Sequence, residues 1–83
     1  MTRHILQAIE THYLPPSNRP TYARIAVRAQ AGRMTVPWDD ALSDDENHYR
    51  AAQAFADKWG WQGDLIGGGL ADGGRVFVLR VQP

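Results

Sequence analysis

Apolar and polar residues alternate with different periods along this 83-residue chain, and those periods predict its elements. In "AIETHYL", residues 8–14, Ile9, Thr11 and Tyr13 alternate with Glu10 and His12, the period of two that marks a strand with one buried side. Leu6, Ile9 and Tyr13 also suit one face of a helix, and the strand is the preferred reading. "PPSNRP", residues 15–20, then breaks regular structure, because three prolines in six residues withhold ladder donors and hold the backbone extended.

In "TYARIAVRAQ", Ile25, Val27 and Ala29 point to one side and Arg24, Ala26 and Arg28 to the other. A two-residue turn at Ala31-Gly32 sets Ala29 against Met34, Val27 against Val36 and Ile25 against Trp38, with Arg24 opposite Asp39 and Arg28 opposite Thr35. Ala-Gly is a weak turn signal, so a three-residue loop is the alternative.

"LSDDENHYRAAQAFADKWGW" carries both ends of a helix. Ser43 as N-cap with Glu46 three residues on is a capping box, Asp44 and Asp45 suit the positive end, and Gly60 followed by Trp61 suits the close. The expected buried stripe is Ala52, Phe55, Ala56 and Trp59, with His48 or Tyr49 above them.

"LIGGGLADGGRVFV", residues 65–78, invites comparison with a phosphate-binding loop, and the spacing rejects it. GxxxxGK[ST] needs a lysine that is absent, GxGxxG from Gly67 needs glycine where Asp72 stands, and a strand-like run follows instead of a helix. A hairpin with an Asp72-Gly73 turn pairs Leu70 with Arg75, Gly68 with Phe77 and Ile66 with Leu79. Val76 and Val78 then face one side and Phe77, Leu79 and Val81 the other, so this strand needs cover on both.

The pattern as a whole predicts one α+β domain: an antiparallel meandering sheet of four to five strands, order β-β-β-α-β-β, with one amphipathic helix over residues 44–59 packed on one face. A chain this short buries only roughly 60 to 65% of its unfolded surface. It has no cysteine, hence no disulfide or thiolate metal site to add stability, and a homodimer is the expected extra source of burial. "MTRHILQAIE" is too short and polar for a signal peptide or membrane span, which predicts a cytoplasmic protein with no membrane partner.

Nine basic and nine acidic residues cancel, so no overall field selects nucleic acid. Their distribution is uneven, with Asp39, Asp40, Asp44, Asp45 and Glu46 inside eight residues and most arginines in loop and sheet. Arg24 and Arg28 on one strand side, with Arg19, Arg33 and Tyr22 close in sequence, suit a phosphate backbone beside a stacked base. The plainer reading is a solubilising face whose arginines pair with Asp39 and its neighbours. Asp44 and His48 stand four apart on one helix face and are weak candidates for a metal or an oriented base; a helix-face histidine bonded to a carboxylate is the simpler account. Trp38 and Trp59 take core positions by pattern, leaving Trp61 or Tyr13 to anchor a partner, together with Val76 and Val78.

The stretches "HYLPPSNRP", "RIAVRA", "VPWDDAL", "ENHYRAAQAFADKWGW" and "GGGLADGGRVFV" together resemble a set of small proteins encoded on bacterial phages, plasmids and mobile elements. That set runs Tyr-Leu-x-Pro-Thr/Ser-Asn, an Arg-rich strand, Trp-Asp, then Asn-His and a helix closing on Gly-Trp. The resemblance covers Tyr13 to Val78, with Ser17 where threonine is commoner, and implies a prokaryotic, mobile-element setting. It brings no activity, cofactor or catalytic residue. The expectation is a non-enzymatic, cofactor-free interaction protein, dimeric, that binds a protein partner of the host or the element. A nucleic-acid-binding module is the alternative, and a metal-assisted enzyme a distant third.

Overall fold

The structure is a computed structural model that describes residues 7–19 and 21–80. Leu6, Pro20 and Val81, used in the sequence reading, lie outside the described residues. Five strands and one helix follow in the order β1 (Ile9–Leu14), β2 (Arg24–Ala29), β3 (Gly32–Pro37), α1 (Asp44–Lys58), β4 (Asp64–Gly69) and β5 (Arg75–Arg80). The sheet is antiparallel throughout, with spatial order β3-β2-β1-β5-β4. The N-terminal strand is therefore the centre of the sheet. The helix connects one edge strand, β3, to the other, β4.

One face of the sheet carries Ile9, Thr11, Ile25, Val27, Val36 and Phe77, all buried. Against it the helix lays Ala51, Ala52, Phe55 and Ala56, small enough at three of four places to let the layers approach. Ser43 caps the helix by accepting from Glu46 N–H at 3.2 Å. At the other end Trp61 N–H donates to the Ala56 carbonyl at 2.9 Å and Gly60 N–H to Asp57 at 3.1 Å, with Gly60 at φ +71°. That is a Schellman closure, and it brings Trp61 to 5.6 Å from Phe55.

Three details differ from the sequence reading. The β2–β3 turn falls on Gln30-Ala31, one residue early, so Val27 pairs with Met34 and Ile25 with Val36. Because the register moves by two, every side chain keeps its face. Arg24 comes opposite Pro37 and Arg28 opposite Arg33, not Asp39 and Thr35.

The β4–β5 loop has three residues, Ala71, Asp72 and Gly73. Gly73 N–H donates to the Leu70 carbonyl at 3.1 Å, Leu70 N–H to Gly74 at 2.8 Å, and Gly73 takes φ +91°, a type I turn closed by a glycine bulge. The register moves by one, so Gly67 rather than Gly68 lies opposite Phe77, and Leu65 rather than Ile66 opposite Leu79.

Trp59, expected in the buried stripe, is the C-cap residue and stays 44% exposed; the chain leaves the helix there, and its ring reaches the β3 edge at Gly32.

Candidate functional site

The helix covers one face of the sheet, and among the described residues no element lies over the other. Strand alternation assigns Glu10, His12 and Leu14 of β1, Arg24, Ala26 and Arg28 of β2, and Arg33 and Thr35 of β3 to this open face. From the other side of β1 it receives Val76, Val78 and Arg80 of β5, and Ile66 and Gly68 of β4. It is thus divided lengthwise, with an apolar strip of Val76, Val78 and Ile66 beside a basic strip of Arg24, Arg28 and Arg33.

Three of the expected arginines meet here. Arg28 and Arg33 are direct cross-strand partners, a like-charged pair that is unfavourable on its own. Glu10 offsets part of it, accepting from Arg28 Nε at 3.1 Å, and stands 3.9 Å from His12 Nε2. The acid that answers Arg28 is therefore Glu10 of the central strand, not Asp39 or its neighbours. Arg24 Nη1 and His12 Nε2 are buried with no hydrogen-bond partner among the described residues. Arg19 and Tyr22 sit in the loop before β2, exposed, and Tyr22 is 56% accessible.

The expected interface residues separate. Val76 and Val78 are half-buried on the open face. Tyr13 and Trp61 belong to the helix side, Tyr13 exposed and edge-on to Trp38 at 5.0 Å, Trp61 half-buried against the core.

The helix side has two depressions. A groove of about 660 Å³ runs between Asp45, Glu46 and Tyr49 of the helix and the glycines of β4, over Phe77. Arg75 lies at its end and gives its guanidinium to Asp45, at 2.9 Å from Nη2 and 3.2 Å from Nε. The second, about 360 Å³, is lined by Tyr13, Trp38, Asp40, Asp44, His48 and Arg75. His48, 2% exposed, places Nδ1 2.7 Å from the Thr11 hydroxyl. Burial, reinforced by the Arg75 charge and opposed by Asp44 and Asp45, lowers its pKa below 6.5 and keeps it neutral. Asp44 is exposed beside it, and among the described residues no three His, Cys, Asp or Glu side chains cluster to hold a metal ion.

Sequence reasoning missed Asn47, the fully buried anchor of the loop before the helix. Its side-chain oxygen accepts from Asp39 N–H at 2.8 Å, and its amide nitrogen donates to the carbonyls of Asp39, Leu42 and Ser43 at 2.8, 3.3 and 3.1 Å. It also missed Glu10, His12, Ile66 and Arg80 as members of the open face. The alternation in "IETHYL" was the available signal, and it needed knowledge that β1 is central.

No family model, no curated protein and no solved structure matches this chain. Among the described residues no helix is long and apolar enough to cross a membrane.

Proposed function

We propose that the protein is a non-enzymatic interaction protein, homodimeric, that binds a protein partner of its host or mobile element on the helix-free face of the sheet. The observation that carries this reading is the apolar strip: Ile66 is 48% exposed, and among the described residues no layer lies above Val76 and Val78 of an interior strand. An antiparallel sheet with one solvated face ordinarily keeps that face polar, and this strip departs from that pattern.

The test is affinity capture from cells that encode the protein, comparing wild type with Val76→Glu and Val78→Glu and with Gln53→Glu on the helix as control. A protein held by wild type and Gln53→Glu and released by the β5 variants, all folded by circular dichroism, supports the reading. Equal capture by all four, or none by wild type, counts against it.

A second reading, nucleic-acid binding, is favoured by one observation, the direct opposition of Arg28 and Arg33 with Arg24 on the same face. A phosphate between two opposed arginines relieves their repulsion. Short single- and double-stranded DNA bound at low salt, released at higher salt and lost in Arg24→Ala/Arg28→Ala supports it; binding indifferent to both excludes it.

A further inference from the structure

Self-association is part of the reading above, and the geometry points to its place: we infer that two copies join edge to edge through antiparallel β4 strands, with Gly67 of each on the two-fold axis. β4 is the outermost strand on its side, paired only with β5 among the described residues. Edge strands that must stay single are guarded by lysine, proline or a short span. β4 has six residues, one charge at Asp64, and neither lysine nor proline.

Two facts about this edge have no explanation within one chain. Ile66 is half exposed. Gly68 and Gly69 have no positive φ, and a Cβ on either meets no atom within 4 Å, so neither backbone nor packing asks for glycine there. Each nevertheless costs about 0.5–1 kcal/mol against a side-chain-bearing residue.

Centring the pair on Gly67 resolves both. Ile66 falls opposite the partner's Gly68 on the open face, and Leu65 opposite the partner's Gly69 on the helix face, where the 660 Å³ groove has room beside Phe77 and Tyr49. A bulky cross-strand neighbour then covers each bare glycine, as Phe77 covers Gly67 within the chain. Centring on Gly68 instead sets Gly68 against itself and Gly69 against Gly67, and centring on Ile66 sets Gly69 against Gly63, so neither register covers both Gly68 and Gly69 with a side chain. Asp64 falls opposite the partner's Leu70, and the two Asp64 carboxylates lie about 20 Å apart along the strands, beyond a Debye length. The axis is perpendicular to the sheet. Both helices stay on one side, and the two open faces merge into one ten-stranded surface.

The chain has no cysteine, so introduced thiols report the register directly. Residues directly opposite in an antiparallel pair hold their Cβ atoms about 4.5–5.5 Å apart, close enough for a disulfide after slight adjustment. In light scattering of the full chain at tens of micromolar, wild type is expected at twice its 9.3 kDa mass. In a buffer of oxidised and reduced glutathione, the oxidised form accepting the two electrons, a mixture of Ile66→Cys and Gly68→Cys is expected to form the mixed disulfide roughly tenfold faster than either variant links to itself. Ile66→Lys is expected at the mass of one chain, and Gly69→Lys, whose Cβ has open space, repeats that test if Ile66→Lys misfolds. A wild-type mass of one chain overturns the inference together with the dimer. A dimer whose mixed cross-link is no faster overturns the inference and leaves the open-face partner untouched, since capture by Val78→Glu reads that separately.

Discussion

Phe77 packs against Gly67, its cross-strand partner, so closely that a Cβ at position 67 falls 2.5 Å from the ring. The ring cannot retreat easily: Phe77 is 5% exposed and sits edge-on to Tyr49 at 6.2 Å. Of the three consecutive glycines, this is the one the fold itself requires. Gly67→Ala is expected to destabilise by about 1–3 kcal/mol through overpacking. Gly68→Ala is expected to be neutral or to stabilise by about 0.4–1 kcal/mol, by restricting the unfolded chain. Urea unfolding of both variants checks the contrast, and equal effects would show that Phe77 moves aside.

Asn47 ties residues 39–43 to the helix through both ends of its amide. Asn47→Asp keeps the shape and the acceptor for Asp39 N–H, but a carboxylate cannot donate to three carbonyls. The loss is expected at about 2–3 kcal/mol, from buried acceptors left unmatched. Asn47→Asp is also expected to recover part of that loss in acid, where a protonated carboxyl can donate once. Thermal unfolding at neutral and acidic pH measures both.

The elements were legible because each rests on a local pattern: the alternation of Ile25, Val27 and Ala29, the Ser43–Glu46 capping box, and Gly60 before Trp61. The open face was legible in part, through Val76 and Val78. Registers were not, because they depend on turn geometry that one or two residues decide. Placing the first turn at Ala31-Gly32 rather than Gln30-Ala31 left every face intact but misassigned the partners of Arg24 and Arg28. Reading Asp72-Gly73 as a two-residue turn turned β4 over, since an Asp-Gly pair serves equally as the end of a type I turn closed by a glycine bulge. Trp59 shows another limit. Helical periodicity extends past the point where the backbone leaves the helix.

Arg28 and Arg33 face each other across β2 and β3, and Glu10 pairs with Arg28 alone. Reversing one charge turns a repulsive cross-strand pair into an attractive one, so Arg33→Glu is expected to stabilise the free protein by about 0.2–1 kcal/mol, less at high salt. If the open face meets phosphate or an acidic partner, the same variant binds more weakly. A more stable protein that binds less is the signature; a loss of stability would mean that the arginines are not in repulsion.

His48 makes folding sensitive to acid. Its pKa in the folded protein is lowered from 6.5, first by burial and then by the Arg75 charge, while Asp44 and Asp45 act the other way. The unfolded chain therefore takes up a proton near pH 6.5 that the folded protein refuses, so stability is fully present above that pH. It falls as the pH drops from 6.5 toward the folded value and levels off below it. Tm measured from about pH 7.5 to pH 4.5 should show this decline. His48→Gln, neutral at every pH, should remove that component and flatten the upper part of the profile, even if its Tm at pH 7.5 is lower. Thr11→Val, which withdraws the hydroxyl 2.7 Å from Nδ1, should cost about 1–3 kcal/mol at neutral pH while leaving His48 to titrate. An unchanged profile in His48→Gln would assign the acid sensitivity to other groups and leave the Thr11–His48 pair a structural contact alone.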